Sequence, residues 1–153
     1  MAYHGKTMLT AYMLIDNLVK QIENLIQSRA RNSFFNFSST FEQAEKILKL
    51  TEIRLDLIAL KEITKNALDS LSEEDRVLIF YKYFKINPKD KDFDLTSRNY
   101  FRKQNKAIIK FEEILKRDGY TDEWFEKNYL KIAFIAGIYK KIIKDDGKKH
   151  VAY

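Results

Sequence analysis

The chain has 153 residues, of which 28 are Lys or Arg and 22 are Asp or Glu, giving a formal net charge of +6. Hydrophobic residues make up 45% of the chain, which argues against disorder throughout, and the length suits one domain or two small ones. The absence of Cys excludes a disulfide framework, a thiolate nucleophile and a cysteine-based zinc site. Because only 4 Gly and 1 Pro punctuate the chain, we predict an all-α fold.

The first 70 residues predict an N-terminal helical hairpin. Apolar residues recur at alternating spacings of 4 and 3 in a first helix, which we expect to start at Lys6 or Thr10 and to end near Arg29. These residues are Ala11, Ile15, Leu18, Ile22 and Leu25. The Asn- and Ser-rich segment 30–40 breaks this pattern. Its three phenylalanines are expected either to plug one end of the bundle or to form a partner-binding patch, and they are Phe34, Phe35 and Phe37.

Two start signals for helices follow. Ser39 and Glu42 form a capping box, from which an apolar face without Gly or Pro continues to about Asp69. This segment predicts one long helix, or two helices joined by a kink. Ser72 is the expected N-cap of a third helix over residues 76–84, and the three acidic residues after it lie where the helix dipole favours negative charge.

The remaining chain predicts two further helices. Residues 85–95 include the only Pro and predict a loop. A helix over residues 97–118 follows and stops at Gly119, which suits a left-handed C-cap. A final helix is expected over residues 122–144, with acidic residues at its start and lysines at its end. The tail, residues 146–153, is expected to be disordered.

Catalytic and membrane-spanning patterns are not found in the sequence. His4 and His150 lie near opposite termini without a ligand-spaced neighbour, so we predict no metal site and expect both to be solvent-exposed. There is no Gly-rich phosphate loop and no nucleophile motif, so we expect a non-enzymatic protein without a cofactor. No stretch resembles a signal peptide or approaches the roughly 20 apolar residues that span a bilayer, so we expect a cytoplasmic protein with no membrane partner.

The most informative segment is the helix predicted over residues 97–118. At about 100° per residue its apolar and basic residues fall on opposite faces. The apolar arc contains Tyr100, Phe101, Ala107, Ile108, Phe111, Ile114 and Leu115. The basic arc contains Arg98, Arg102, Lys103, Lys106, Lys110, Lys116 and Arg117, and is interrupted by Ile109 and Glu113. A basic face of this kind fits a nucleic-acid-binding helix, a solvated surface, or a helix that binds a membrane or an acidic partner.

The uneven distribution of charge along the chain favours a polyanion partner for its second half. Residues 1–72 hold 9 Lys or Arg and 8 Asp or Glu, whereas residues 73–153 hold 19 and 14. If the helix enters the major groove of duplex DNA, its first half presents the donors. The candidate residues for base or phosphate contacts are Arg98, Asn99, Arg102 and Lys103, and those for phosphate contacts alone are Lys106 and Lys110.

Two motifs resemble region four of bacterial sigma-70-type factors. Residues 71–84 resemble its opening, with Tyr81-Lys82-Tyr83 in place of the family's Leu-Arg-Tyr-like triplet. Residues 96–107 resemble its recognition helix and end in Lys106-Ala107 in place of an Arg-Ala-like pair. The family's Glu-Ile-Ala-x-x-Leu-Gly helix is replaced by the shorter segment 87–94, which we expect to form a single supporting turn. Sigma-like late-gene regulators of Firmicutes and their phages are similar in having a helical segment before the helix-turn-helix.

The resemblance implies a helix-turn-helix unit that binds DNA. We therefore predict a helical hairpin over residues 1–70 and a sigma region-four-like unit over residues 71–145, acting as a bacterial or phage transcriptional regulator. Duplex DNA is the expected partner, together with RNA polymerase and a second copy bound through the N-terminal helices. The alternative is a non-enzymatic interaction module that docks to RNA polymerase or self-associates without binding nucleic acid.

Overall fold

The computed structural model describes residues 2–35, 40–87 and 98–151, and most of these residues lie in α-helices. The all-α prediction is confirmed for this part of the chain. Its six helices are α1 (His4–Phe35), α2 (Thr40–Asp69), α3 (Glu73–Phe84), α4 (Arg98–Arg117), α5 (Asp122–Tyr129) and α6 (Ala133–Val151).

α1 and α2 pack against each other as antiparallel neighbours. Three polar pairs join them, and the residue number falls along α2 as it rises along α1. The pairs are Asp16 Oδ2 with Lys61 Nζ at 2.6 Å, Glu23 Oε1 with Arg54 Nε at 2.9 Å, and Gln43 Oε1 with Arg29 Nη1 at 3.4 Å. All three lie at the surface or are part-buried, so apolar packing supplies most of the stabilisation of the pair.

α1 is longer than the sequence predicts, and α2 has the predicted length and is one of its two predicted forms, a single long helix. The prediction that α1 ends near Arg29 is wrong, because residues 30–35 continue the helix. Asn and Ser cost a helix interior at most about 0.7 kcal/mol relative to Ala, which an established helix tolerates. α2 is one helix without a break. Residues 36–39, including Ser39 of the capping box, lie outside the described residues, as do the side chains of Phe34, Phe35 and Phe37.

Local cap signals of the second half are confirmed. Ser72 is the N-cap of α3 and accepts a hydrogen bond from the Asp75 backbone N–H at 3.3 Å. Thr121 is the N-cap of α5 and accepts from the Trp124 backbone N–H at 3.2 Å. Gly119 ends α4 with a φ of +90°, a backbone conformation that residues with a Cβ rarely adopt.

The predicted final helix is divided into two. A turn separates α5 from α6 at residues 130–132, so the prediction of one helix over residues 122–144 is wrong. Neither Gly nor Pro stands at this turn. Tyr129 and Ile132, on either side of it, are both buried in the common core. Tertiary packing therefore sets the break, against the local helical preference of the sequence.

The predicted disorder of the tail is wrong as far as Val151, because α6 continues to that residue. Tyr3 OH donates a hydrogen bond to Asp146 Oδ2 at 2.9 Å and ties this part of α6 to the start of the chain. The sequence places Gly137 in mid-helix, and α6 continues through it. A Cβ added at Gly137 would meet no atom within 4 Å.

The core is centred on the N-terminal half of α1. α1 contacts all five other helices. Met8, Leu9, Ala11 and Ile15 are fully buried although they point in different directions around the helix axis. Beyond about residue 20, α1 has fewer buried residues, and Ile22 is the last buried one among its described side chains, which end at Asn32.

Within residues 2–35, 40–87 and 98–151, no helix combines the length and the apolar character that crossing a bilayer requires.

Two leucines of α2 test this description of the core. Leu57 is 0% exposed and Leu55 is 55% exposed. Leu57→Ala should lower the free energy of unfolding by about 2–5 kcal/mol, because it leaves a cavity. The matched control Leu55→Ala should change it by less than about 0.5 kcal/mol. Urea denaturation followed by circular dichroism measures both values, and equal effects of the two substitutions would contradict the assignment of α2's buried face.

Candidate nucleic-acid interface

α4 has the two faces that its sequence predicts, with one exception. Its inner face is buried against the core through Tyr100, Ala107, Ile108, Phe111 and Leu115. Phe101 is the exception, because it is 58% exposed instead of buried. The apolar face thus fixes α4 to the scaffold, while the predicted DNA-binding residues whose side chains are described remain on the surface.

The structure places the predicted binding residues on the outer face of α4. The exposed ones are Asn99, Arg102, Lys103, Lys106 and Lys110. The side chain of Arg98 lies outside the described residues, and so does the segment 88–97 in which a supporting helical turn is predicted. Arg102 and Lys106 make no ion pair among the described residues.

The acidic first turn of α3 lies against two of these lysines. Lys103 Nζ is 3.4 Å from Glu74 Oε1, and Lys110 Nζ is 3.2 Å from Asp75 Oδ2. Asp75 is buried and also accepts a hydrogen bond from Ser72 Oγ, so the Lys110 pair is the better fixed of the two. The Lys103 pair is exposed on both sides, and such pairs contribute at most about 1 kcal/mol. The sequence explains the acids as helix-dipole partners and gives no sign that they face α4.

The C-terminal half of α4 borders an acidic cleft. Its lining residues are Ala2, His4, Ile109, Glu112, Glu113, Lys116, Thr121, Asp122 and Glu123. Burial raises the pKa of Glu112, with a further rise from Asp122 and an opposing effect of Lys6. Gly5 leaves room for the Glu112 side chain against α1, since a Cβ at Gly5 would lie 2.7 Å from Glu112 Cγ. The acidic surroundings make this half of α4 unsuited to a phosphate backbone.

The opposite end of α4 borders a second cleft, between the end of α3 and the start of α4. Its lining residues are Tyr81, Lys82, Lys85, Asn87, Tyr100, Phe101 and Gln104, and no acidic residue is among the described residues that line it. Lys85 caps α3 with a φ of 57°, and the Ile86 N–H donates to Phe80 O at 3.3 Å. This left-handed cap turns the chain at the rim of the cleft.

We call the adjoining parts of α3 and α4 the basic end, defined by Lys82, Lys85, Arg102 and Lys106. All four side chains are exposed. Lys82 and Lys85 are missing from the residues that the sequence predicts, since a single-helix pattern cannot show which neighbour lies beside it. The Tyr81-Lys82-Tyr83 triplet, noted only for the family resemblance, is a sequence signal that could have found Lys82.

The prediction that His4 is solvent-exposed is wrong. Its side chain is 3% exposed, with Nδ1 3.2 Å from Asp122 Oδ1 and Nε2 2.9 Å from Tyr120 O. Asp122 also accepts from Tyr139 OH at 3.1 Å, so this group of side chains joins α1, α5 and α6. Within the described residues no cluster of His, Asp or Glu is arranged to hold a metal ion.

Comparison with known proteins adds no family assignment. No family model, curated protein or solved structure matches the chain. Function is therefore inferred from the charges and contacts of the α3–α4 surface.

The raised pKa of Glu112 predicts a pH dependence of stability. Because the folded-state pKa exceeds the unfolded-state pKa, the stability linked to this proton is fully present below the unfolded-state value and is lost as the pH rises through the folded-state value. Glu112→Gln should therefore lose less stability than the wild type between about pH 4 and about pH 7. Urea midpoints across this range measure the difference. The control Glu113→Gln, at an exposed position, should follow the wild-type curve, and parallel curves for all three proteins would refute the prediction.

Proposed function

We propose that the protein binds nucleic acid through the basic end of α3 and α4. The observation behind this proposal is that the exposed Lys82 and Lys85 line a cleft whose described lining has no acid, while the exposed Arg102 and Lys106 of the adjoining helix make no ion pair among the described residues. The acids beside α4 pair with Lys103 and Lys110 or line the acidic cleft. The four cations of the basic end are therefore the ones on this surface best placed to contact phosphates.

The physical basis of such binding is the release of counterions from phosphates. Lys and Arg side chains that neutralise phosphates displace condensed cations, and the affinity then falls steeply with salt. Arg102 and Lys106 are ready for this exchange because neither makes an ion pair among the described residues. Lys103 can also exchange its weak pair with Glu74 for a phosphate.

The more specific form of the proposal is a sigma region-four-like transcriptional regulator that binds duplex DNA. Its support is the sequence resemblance of residues 71–84 and 96–107, together with the amphipathic α4 in the place of the recognition helix. In this form Asn99, Arg102 and Lys103 contact base edges or phosphates, Lys106 contacts phosphates, and RNA polymerase is a partner. The phosphate contact predicted for Lys110 competes with its ion pair to Asp75.

The charge of α4 is tested by Arg102→Ala/Lys106→Ala. This double variant should bind a mixed-sequence DNA duplex more weakly, and the slope of log affinity against log salt should fall by about 1.8 if each residue neutralises one phosphate. Fluorescence anisotropy across a salt series measures both quantities.

The matched control is Lys140→Ala/Lys141→Ala, which removes the same charge from exposed positions of α6. It should leave the salt slope near its wild-type value. If both double variants lose the same affinity and slope, net charge alone drives binding, and the assignment to the basic end is wrong.

A second candidate function is the helix-mediated interaction module. Phe41, Leu48 and Leu55 lie seven residues apart on α2 and are 76%, 60% and 55% exposed, and Ile58 is 42% exposed. This spacing places them on one stripe of the helix, as at the a and d positions of a coiled coil. These four side chains lie on the surface. The apolar residues predicted to line one face of α1, by contrast, are largely buried.

Sedimentation equilibrium tests this second candidate in its self-associating form. If the stripe joins two copies, the mass should rise with concentration from monomer to dimer, and Leu48→Glu/Leu55→Glu should remain monomeric. Both side chains are exposed, so the fold should tolerate the change. A wild-type protein that stays monomeric at every concentration would contradict self-association.

A further inference from the structure

We propose that the cleft of the basic end binds an unpaired nucleobase, which stacks on Phe101 while Lys82 and Lys85 hold the adjoining phosphates. This inference rests on the general form of the proposed function, nucleic-acid binding, and departs from its duplex-binding form. It makes single-stranded or locally unpaired nucleic acid a better ligand than an intact duplex.

Phe101 is placed as a stacking platform. It is 58% exposed on a helix whose other aromatic residues, Tyr100 and Phe111, are 6% and 0% exposed. The Tyr100 ring supports it from the inner side, with centroids 5.2 Å apart and planes at 64°. Tyr81, which is partly buried, lies edge-on to Tyr100 at 5.8 Å, so three rings form a continuous row with the buried Tyr100 in the middle. An aromatic face held in this way offers contact area with little loss of side-chain freedom.

The inner wall of the cleft is fixed by a hydrogen bond. Gln104 is 4% exposed, and its Nε2 donates to Tyr100 OH at 2.6 Å. Burial is the main cause that raises the pKa of the Tyr100 phenol, which therefore stays neutral at physiological pH. The row of rings is thus positioned before any ligand arrives, and this preorganisation reduces the cost of binding.

The remaining groups of the cleft suit a nucleotide. Lys82 and Lys85 are exposed cations, and Asn87 is an exposed amide that can both donate to and accept from a base edge. The cleft has a volume of about 450 Å³, which lies within the range of about 300–1,000 Å³ found for small-ligand sites. Aromatic rings interleaved with cations are the usual means of binding single strands.

Ile109 provides a matched control on the same helix. It is 52% exposed, close to the value for Phe101, but it borders the acidic cleft with Glu112 and Glu113. An exposed apolar residue alone would make the two positions equivalent. The neighbouring charge and the row of rings distinguish them.

The experiment compares Phe101→Ala and Ile109→Ala with the wild type. The probes are a fluorescein-labelled single-stranded DNA of mixed sequence and a blunt duplex of the same length, each titrated at low salt. Phe101→Ala should weaken single-strand binding by about 5- to 100-fold, which corresponds to one stacked base, and should change duplex binding by less than about twofold. Ile109→Ala should change neither affinity, and Phe101→Trp should restore single-strand binding.

The outcomes separate the inference from the proposed function. If the wild type binds DNA but Phe101→Ala and Ile109→Ala behave alike, the stacking site is overturned while nucleic-acid binding stands. Equal losses of single-strand and duplex affinity in Phe101→Ala also overturn the stacking site. If the wild type binds neither probe at low salt, the proposed function itself fails. Thermal unfolding of each variant shows that the fold is kept, as an exposed position leads one to expect.

Discussion

Burial of the first turns of α1 on several sides is the interaction on which the other helices depend. His4, Thr7, Met8 and Leu9 are all 3% exposed or less, although they point in different directions around the helix. α2, α3, α4, α5 and α6 each pack against α1, so their mutual positions follow from its surface. The contacts of the His4 ring nitrogens with Asp122 Oδ1 and Tyr120 O fix the turn between α4 and α5 to this centre. Both partners are acceptor oxygens, so an apolar side chain at this position would leave them without a ring N–H donor.

This arrangement determines what α4 can offer a partner. Its inner face is held by the core, and its outer face has different neighbours at different places. The acidic first turn of α3 lies against Lys103 and Lys110, while Glu112 borders a cleft with Asp122. Where the start of α4 adjoins the end of α3, Lys82 and Lys85 add positive charge. The basic arc predicted for α4 is therefore divided between cations that face acids and two cations, Arg102 and Lys106, that make no ion pair among the described residues.

Local signals were the part of the structure that the sequence could predict. The caps at Ser72 and Thr121 and the stop at Gly119 depend on hydrogen bonds and dihedral angles within a few residues, and all three are found as expected. The failures involve long-range packing. His4 is buried by a partner 118 residues away, the break after Tyr129 has no Gly or Pro to mark it, and Phe101 is exposed although periodicity places it inside. The pairing of Lys103 with Glu74 likewise joins residues 29 apart in the chain.

The central claim is that nucleic acid binds at the basic end of α3 and α4. Nuclear magnetic resonance of the ¹⁵N-labelled wild-type chain tests it directly, by titration with mixed-sequence single-stranded and duplex DNA at low salt. Binding at the basic end should shift the backbone amide signals of residues 81–87 and 99–106 and leave those of residues 41–58 unchanged. The shifts should disappear at high salt as phosphate contacts are lost. Shifts confined to α2, or no shifts with either DNA at low salt, would contradict the claim and leave the interaction module as the better account.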